Sequence, residues 1–449
     1  MGLTGEIAYS PFLRVRMHLS PYVKIYPAHG SPGRILLYST KTGATIIVSE
    51  KLLAAITSAD LASSAQESLI RLGFLVPDIA EEKRLVTGRF SRINQRSRRC
   101  SFMVVLTLEC NLACTYCYEA NVLSKGRTMS QETADLLVTT LQRDQIASVR
   151  DICLDFYGGE ALLSVDLLRS VAGRVGALAK EAGVGFSFNL ITNGTLFTRP
   201  LAEELKGLGL RSVKFTLDGP RELHDRTRPF LSGRGSFDVI FSNLREVADT
   251  VSVQVGGNFL RDTYREFPRL LDLFAENGLT PDRLSLVHFT PVIGTKAAPG
   301  LSEFAMGCCT TAEPWLFEAG LYLREEILKR GYHTPKPAPA SCSVEFANDL
   351  IVNYDGRLYK CPAFIGLDGW EVGHLGTGVN DYRESHNLDV WKTTECCACA
   401  YLPLCYGGCR YMKFLRDGKI DGVDCQKEFF DACLADFIEQ DLRYRPTSK

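Results

Sequence analysis

Sixteen cysteines are the residues of this 449-residue chain whose spacing is best suited to chemistry. Three of them, Cys110, Cys114 and Cys117, follow the order C-x3-C-x2-C within eight residues, and nine lie in the last 108 residues. Such tight spacing lets several thiolates converge on one centre, as an iron–sulfur cluster or a zinc site requires. A disulfide framework is disfavoured, because no export signal is visible and these cysteines do not spread over a small, loop-rich domain.

The first cysteine loop could bind three irons of a [4Fe–4S] cube and leave the fourth iron open. An open iron can chelate a substrate, whereas a fully ligated cluster can only carry electrons. A structural zinc loop that lacks one ligand is the alternative interpretation. The aromatic residue before the last cysteine, Tyr116, adds to the specificity of the loop.

The composition excludes several classes of protein. Apolar residues make up 45% of the chain and charged residues 23%, which is typical of globular proteins and not of disordered or coiled-coil chains. The net charge of −1 gives no basic field for nucleic acid or a membrane surface. No apolar run is long enough to span a bilayer, and the N-terminus lacks the layout of a signal peptide. We therefore expect a cytoplasmic protein with no nucleic-acid or membrane partner.

Strands and helices alternate from residue 101 to about 290. The predicted strands are 103–108, 152–157, 186–192, 212–217, 251–255 and 284–289. Amphipathic helices are predicted between them, at 130–142, 165–181, 200–208, 236–248 and 264–276. Alternation with nearly continuous apolar strands predicts a parallel sheet, either open or closed into a partial barrel. The chemistry of such sheets lies at the carboxyl ends of the strands, where the polar motifs of this region fall.

The loop CNLACTYC (110–117) resembles the signature loop of the radical S-adenosylmethionine (SAM) enzymes. The resemblance implies an α/β fold with a partial (β/α)6 barrel, and Cys110, Cys114 and Cys117 as ligands of a [4Fe–4S] cluster. In that family the open iron binds the amino and carboxylate groups of SAM. An electron from the cluster then cleaves SAM to methionine and a 5′-deoxyadenosyl radical, which abstracts a hydrogen atom from the substrate.

Further motifs follow the predicted strands in the order that the resemblance requires. The implied SAM contacts are Tyr116, Gly158, Gly159, Glu160, Thr192, Asn193, Asp218 and Arg228. The two glycines of YGGE (157–160) let the backbone approach a ligand, and Glu160 offers a carboxylate or a carbonyl to the methionyl amino group. Thr192 and Asn193 are placed to hydrogen-bond ribose, and Arg228 to bind the SAM carboxylate. A loop ion pair is the alternative for Asp218 and Arg228, and Asn258 is either a ligand or a loop cap.

Seven cysteines near the C-terminus resemble the SPASM extension, which binds two auxiliary [4Fe–4S] clusters in relatives. The resemblance assigns Cys342, Cys361 and Cys409 to the first cluster, and Cys396, Cys399, Cys405 and Cys425 to the second. For the fourth ligand of the first cluster we expect Cys308 or Cys309, or else a site open to a substrate thiolate. A pair of zinc ribbons is the alternative. Cys397 is interpreted as a spare thiol, and Cys100, Cys153 and Cys433 as small buried side chains.

The predicted domains are an N-terminal α+β unit (1–80), a linker (81–100), the radical SAM core (101–300) and the auxiliary-cluster region (301–449). The first unit contains β-rich runs at 22–26, 33–40 and 43–49, followed by helices. It fits a small, winged-helix-like module that recognises a leader peptide by adding it to a sheet edge, or a structural cap.

The chain as a whole resembles the geopeptide-type peptide maturases. The stretches that carry this resemblance include LDFYGGEALL, VNYDGRLYKCPAF and CAYLPLCYGGCRYM. The expected function is modification of a precursor peptide, with a thioether or another cross-link favoured and flavodoxin or ferredoxin as electron donor. An enzyme of the same family that modifies a protein or a small molecule is one alternative. The sulfatase maturases have an Asp after the Cys that matches Cys361, where this chain has Pro362. A non-catalytic iron–sulfur or zinc module is the other alternative.

Overall fold

The computed structural model describes residues 16–28, 32–58, 61–117, 119, 126–293 and 313–444. The chain folds into two compact units. Unit 1 contains residues 1–89, 338–340 and 394–404, and unit 2 contains residues 90–337, 341–393 and 405–449. Cys308 and Cys309, the predicted candidates for the missing cluster ligand, lie outside the described residues.

The strands, in chain order, are β1 (His18–Leu19), β2 (Val23–Pro27), β3 (Arg34–Ser39), β4 (Thr45–Ser49), β5 (Leu75–Val76), β6 (Arg99–Thr107), β7 (Asp151–Gly158), β8 (Gly185–Ile191), β9 (Leu210–Thr216), β10 (Ser252–Phe259), β11 (Leu284–Pro291), β12 (Asp349–Val352), β13 (Arg357–Tyr359), β14 (Gly373–His374) and β15 (Gly378–Val379). The helices are α1 (Glu50–Ser58), α2 (Ser63–Arg71), α3 (Ile79–Thr87), α4 (Arg89–Arg96), α5 (Gln131–Asp144), α6 (Val165–Glu181), α7 (Arg199–Gly207), α8 (Arg221–Thr227), α9 (Phe237–Val247), α10 (Phe267–Glu276), α11 (Pro314–Lys329), α12 (Thr394–Ala398), α13 (Leu402–Cys405), α14 (Arg410–Asp417) and α15 (Lys427–Tyr444).

Unit 1 is built on a three-stranded antiparallel sheet in the order β2-β3-β4. Leu37, Val48, Ile56 and Phe74 form its core and are almost fully buried. The unit also contains a short antiparallel pair of β1 and β5. Within the described residues, β2 and β4 each pair with one neighbouring strand, so each has an outer edge.

Unit 2 is built on a ten-stranded sheet in the order β11-β10-β9-β8-β7-β6-β12-β13-β14-β15. The six strands from β6 to β11 are parallel, and each corresponds to a strand that the sequence predicts. Their apolar side chains pack against the intervening helices in one large core that includes Phe156, Phe188, Val213 and Phe215. The predicted alternation of strands and helices is therefore confirmed. The carboxyl ends of the six parallel strands lie along one edge of the sheet.

The sheet continues beyond the alternating region. Strand β12 pairs in parallel with β6, with Ile351 opposite Met103, and β13 to β15 follow as antiparallel strands. The sequence indicates an end of the alternation near residue 290, and it does not predict this return. Pairing with β12 satisfies backbone groups of residues 101–104 of β6, on the side that faces away from β7.

A buried ion pair lies in the C-terminal part of unit 2. Arg410 and Glu345 are both 2% exposed, and the Nη2 of Arg410 donates to Oε1 of Glu345. Nearby, the rings of Phe90, Trp391 and Tyr406 meet edge to face, with centroids 4.8–5.9 Å apart. Removing one member of such an ion pair leaves a buried charge without a partner, so the pair constrains this region.

Candidate active site

The first cysteine loop follows β6 at the carboxyl edge of the parallel sheet. Cys110, Cys114 and Cys117 line one cavity of about 320 Å³. Burial raises the pKa of Cys110 to about 11 and that of Cys117 to about 12. Thiols with such pKa values stay protonated at neutral pH unless a metal displaces the proton. The loop thus brings three thiols together in a partly water-excluded site.

Backbone hydrogen bonds attach the cysteine loop to the last residue of α8 and to the segment that follows it. The N–H of Ala113 donates to the carbonyl of Pro229 at 2.8 Å, and that of Thr115 to Thr227 at 2.9 Å. These bonds join residues more than 110 positions apart in the chain. They position the loop beside Arg228, which lies between the two acceptors.

Cys110, Cys114 and Cys117 line a common cavity and do not converge on one point. Among the residues that the structure describes, no group of three or more histidine, cysteine or acidic side chains converges on one point that could bind a metal ion. A cube of four irons is ligated at separate corners, so its thiolates need to line a common cavity and do not need to meet at one point. The cavity lined by the three thiols meets this requirement.

The glycine pair at the end of β7, Gly158 and Gly159, lies directly against the end of β6 and the start of the cysteine loop. A Cβ atom at Gly158 would lie 2.3 Å from the carbonyl oxygen of Thr107, and one at Gly159 would lie 2.3 Å from that of Glu109. Gly158 also has a φ of +123°, which disfavours other residues. The two strand ends approach each other this closely only because both side chains are absent.

The carboxylate of Glu160 accepts hydrogen bonds from other groups of the protein. It accepts hydrogen bonds from the Leu162 N–H at 3.0 Å, the Thr192 hydroxyl at 2.8 Å and the Asn193 N–H at 2.7 Å. Burial raises the pKa of Glu160, and these donors partly offset the effect. The carboxylate therefore joins the ends of β7 and β8. Of the two groups that the sequence offers for the methionyl amino group, the backbone carbonyl is the less occupied, since it accepts one hydrogen bond, from the Leu163 N–H at 3.1 Å.

Asn193 connects the end of β8 to the cysteine loop. Its Nδ2 donates to Oδ1 of Asn111 at 2.7 Å, and its Oδ1 accepts from the N–H of Thr195 at 2.9 Å. Asn111 also donates to the Thr195 hydroxyl at 2.9 Å. Sequence reasoning did not single out Asn111, although its place directly after Cys110 is a signal that could have identified it.

Tyr116 forms the centre of a buried polar network. Its hydroxyl donates to Oδ2 of Asp218 and accepts from Nη1 of Arg228 and Nδ2 of Asn258, both at 2.9 Å. The Asn258 N–H donates to Oδ1 of Asp218 at 2.8 Å. Burial raises the pKa of the Asp218 carboxyl, and the charge of Arg228 partly offsets the effect. The network brings together four residues that the sequence predicts for the site, with the Tyr116 hydroxyl bonded to both Asp218 and Arg228.

Two further features of this region were not predicted. The Nε of Arg228 is buried and has no hydrogen-bond partner among the described residues. His224 is fully buried; its Nδ1 accepts from the Asp218 N–H at 3.1 Å, and its Nε2 lies 3.0 Å from the Ser236 hydroxyl. The His224 imidazole therefore contacts both Asp218 and Ser236, which lie on either side of Arg228 in the chain.

Glu119 and Lys214 also line the cavity, and sequence reasoning missed both. Glu119 is 6% exposed, its Oε1 has no partner among the described residues, and burial raises its pKa to about 7. Lys214 lies on β9, two residues before the end of the strand. Its position on the strand face opposite the buried Val213 and Phe215 is the signal that could have identified it.

Three of the C-terminal cysteines, Cys342, Cys361 and Cys409, lie within unit 2 and influence one another electrostatically. Burial raises the pKa of Cys361 to about 12 and that of Cys409 to about 11, and a thiolate at Cys342 would raise both further. For the second predicted cluster, Cys396 and Cys399 belong to unit 1, while Cys405 and Cys425 belong to unit 2. Their assignment to one cluster therefore stays a sequence-based prediction. As predicted, three other cysteines are buried: Cys100, Cys153 and Cys433.

Comparisons with known proteins show to which proteins this chain is similar. The model of the radical SAM superfamily matches residues 104–274. A cysteine-type anaerobic sulfatase-maturating enzyme of Clostridium novyi is 23% identical over 375 residues, which cover 75% of this chain and 96% of that protein. The mycofactocin maturase MftC of Mycolicibacterium smegmatis is 24% identical over 339 residues, covering 71% of this chain and 80% of MftC.

The fold also matches a solved structure. Streptococcus suis SuiB bound to the precursor peptide SuiA superposes with a TM-score of 0.52 at 13% identity, covering 91% of this chain and 99% of SuiB. The predicted α/β fold class is confirmed. In the part of the chain that the structure describes, we find no helix with the length and apolarity needed to cross a bilayer.

Proposed function

Residues 104–274 of this chain form a radical SAM domain and the chain is a radical SAM enzyme, so we propose that it modifies a ribosomally made precursor peptide. The observation that carries the proposal is the single cavity lined by Cys110, Cys114 and Cys117 and bordered by the Tyr116 network. When bound there, a [4Fe–4S] cluster supplies the electron that cleaves SAM to methionine and a 5′-deoxyadenosyl radical. The remaining steps depend on how this chain's own residues bind SAM and substrate.

We assign the SAM carboxylate to Arg228. Its guanidinium is held in place through the Tyr116 hydroxyl, and its buried Nε lacks a partner among the described residues. A guanidinium fork fits a carboxylate with two parallel hydrogen bonds. Because the Glu160 carboxylate is already bonded to three donors, we assign the amino group of SAM to a backbone carbonyl beside Gly159. Burial around the site shields a reactive radical from water.

Two relatives support a peptide substrate. SuiB is solved with a precursor peptide, and MftC is named as a maturase. The likeness to a sulfatase-maturating enzyme favours a protein substrate instead, but the residue after Cys361 here is Pro362, which begins a short 3-10 helix. Proline has no carboxylate to act as a base. A peptide therefore accounts for the chain better than a sulfatase does.

We assign recognition of the leader peptide to the three-stranded sheet of unit 1. The outer edges of β2 and β4 offer backbone groups to an added strand. Ile25 on β2 and Ile47 on β4 are each 45% exposed, so apolar contacts are available beside both edges. An incoming strand would gain main-chain hydrogen bonds from either edge and side-chain contacts from these isoleucines.

Two auxiliary clusters complete the proposal. Cys342, Cys361 and Cys409 are the ligands of the first, with Cys308 or Cys309 as the fourth. The second has four ligands: Cys396, Cys399, Cys405 and Cys425. Forming a thioether from a C–H and an S–H group removes one hydrogen atom, one proton and one electron, and a bound auxiliary cluster supplies an acceptor for that electron. A flavodoxin or ferredoxin is the expected electron donor.

The first experiment tests the cluster count and the radical chemistry. Anaerobically purified protein should contain about twelve irons, at four per cluster. With SAM and dithionite it should form 5′-deoxyadenosine, and Cys114→Ala should abolish this product. Cys100→Ala is the matched control, since Cys100 is fully buried in β6 and has no assigned ligand role. Four irons or fewer would contradict the auxiliary clusters, and product from Cys114→Ala would contradict the assigned ligand.

The second experiment tests the peptide. A short precursor encoded next to the gene is co-expressed with the enzyme and weighed by mass spectrometry. A loss of two mass units per site indicates a cross-link. Fragmentation of the modified peptide in the mass spectrometer then shows which residues the new bond joins. If 5′-deoxyadenosine forms while the precursor stays unchanged, the peptide proposal is wrong and the radical SAM assignment stands.

A further inference from the structure

Lys214 places an ammonium group inside the cavity that contains the cluster cysteines. On β9, Val213 and Phe215 are fully buried against the helices, so Lys214 and Thr216 lie on the opposite face of the strand. Both residues line the cavity together with Cys110. Lys214 is accessible from the cavity, whereas its neighbours on the strand are not.

A glycine on the next strand makes room for this side chain. Gly256 on β10 is paired with Thr216, two positions beyond the pair of Lys214 and Gln254. A Cβ atom at Gly256 would lie 2.8 Å from Cε of Lys214 and 3.5 Å from its Nζ. The lysine therefore passes over Gly256 towards the carboxyl ends of the strands, where the cysteines lie.

The ammonium of Lys214 has no anionic partner. No hydrogen bond or ion pair joins it to any other residue in the described part of the chain, and its strand neighbours Ile191 and Gln254 are uncharged. Burial lowers the pKa of Lys214 and raises that of Glu119. Burial also lowers the pKa of His288 and the charge of Lys214 lowers it further, so the titratable group that the ammonium influences is an imidazole and not an anion. An ammonium has three donors and no acceptor, and a partly desolvated one gains from an anion.

We infer that Lys214 binds a carboxylate of the substrate, beside the position where hydrogen abstraction takes place. The inference rests on the proposed function, because it takes the substrate to be a peptide. The carboxylate of SAM is already assigned to Arg228. The remaining carboxylates of a peptide are the side chain of an Asp or Glu close to the modified residue and the C-terminus. Lys214 would then determine which residue of the peptide enters the cavity.

Capped tripeptides test this inference without requiring turnover. The probes are N-acetyl-Ala-Glu-Ala-amide, its neutral Gln counterpart, and N-acetyl-Ala-Ala-Ala with a free C-terminus, each ¹⁴C-labelled. Equilibrium dialysis against the holoenzyme with SAM should give about tenfold tighter binding of a carboxylate probe than of the Gln probe, as expected for a charge-assisted hydrogen bond. The Glu and free-terminus probes distinguish the two sources. Equal affinities for all three probes would overturn the inference.

Variants at Lys214 provide the second measurement. Lys214→Met should remove the preference for carboxylate while leaving SAM affinity and iron content unchanged, and Lys214→Glu should prefer N-acetyl-Ala-Lys-Ala-amide. Lys206→Met, on the exposed side of α7, is the matched control. Loss of SAM affinity in Lys214→Met with full iron content would assign the lysine to SAM and overturn the inference. These readouts do not depend on whether a precursor is modified, so a failure of the peptide proposal would be seen separately.

Acetylation of the wild-type enzyme remains informative if the variants do not fold. Sulfo-NHS-acetate labelling followed by mass spectrometry reports the accessibility of each lysine. The Glu probe should protect Lys214 in the presence of SAM, while Lys180 and Lys206, both exposed on helices, stay equally labelled. Full protection by SAM alone would overturn the inference.

Discussion

Replacing Gly159 by alanine tests the close contact between the glycine pair and the cysteine loop. The new Cβ would lie 2.3 Å from the Glu109 carbonyl oxygen, 2.7 Å from its carbonyl carbon and 3.0 Å from that of Leu108. To reach an ordinary contact of 3.4 Å the two backbones must separate by about 1.1 Å, which belongs to the overpacking that costs about 1–3 kcal/mol. Glu109 directly precedes Cys110, so the displacement moves a cluster ligand. Unlike Gly158, Gly159 does not have a positive φ, so the cost is steric.

Gly173→Ala is the matched control, because the same methyl group should have the opposite effect there. Gly173 lies within α6, and a Cβ atom at this position would have no heavy atom within 4 Å. Alanine in a helix interior is more stable than glycine by about 0.5–1 kcal/mol. Both glycines lie in unit 2, and for a unit of its size 1 kcal/mol corresponds to about 1–2 °C in the melting temperature. Gly159→Ala should therefore lower the melting temperature by about 1–6 °C, and Gly173→Ala should raise it by about 0.5–2 °C.

The assay is scanning calorimetry of anaerobically purified protein, combined with iron analysis and equilibrium dialysis of SAM. Gly159→Ala should lose up to about four irons, those of one cluster, and bind SAM more weakly. Gly173→Ala should match the wild type in both measurements. A Gly159→Ala protein with unchanged melting temperature, iron content and SAM affinity would refute the inferred contact between the glycine pair and the cysteine loop.

Three other sets of substitutions test separate parts of the molecule. Tyr116→Phe removes the hydroxyl that joins three buried polar groups, so SAM affinity should fall by about tenfold or more at unchanged iron content, as dialysis would reveal; unchanged affinity would contradict the role of the network. Arg410→Met should destabilise by about 3–5 kcal/mol because Glu345 is left as an unpaired buried charge, whereas adding Glu345→Leu should restore most of the melting temperature. If the double variant melts as low as the single one, the lost ion pair is not the cause. Cys396→Ser should lose iron and Cys397→Ser should not; equal iron in the two proteins would contradict the ligand assignment.

Much of the site could be predicted because its residues are close in sequence or follow strand ends. Cys110, Cys114 and Cys117 are within eight positions, so their spacing alone predicts a common centre. Glu160 and Asn193 follow predicted strands, and parallel strands bring their carboxyl ends to one edge regardless of the connecting helices. The six strands of the core were predicted because each is a nearly continuous apolar run.

The hydrogen-bond partners could not be predicted. The carboxylate of Glu160 bonds to the Thr192 hydroxyl, 32 positions away, and the hydroxyl of Tyr116 bonds to Asp218, 102 positions away. A sequence motif names a residue type and leaves open whether its side chain faces a ligand or another strand end. For Glu160 the structure shows that the side chain forms hydrogen bonds with other residues of the protein.

The sequence by itself determined the number and spacing of the cysteines, the alternation of strands and helices, and the place of each polar motif along the chain. These are local properties, set by the type and order of neighbouring residues. Only the tertiary structure decided that β12 extends the sheet beside β6, that Tyr116 joins Asp218 and Arg228, and that Lys214 passes over Gly256 into the cavity. Each of these depends on which distant segments pack together, because burial and hydrogen bonding select partners by their position in space.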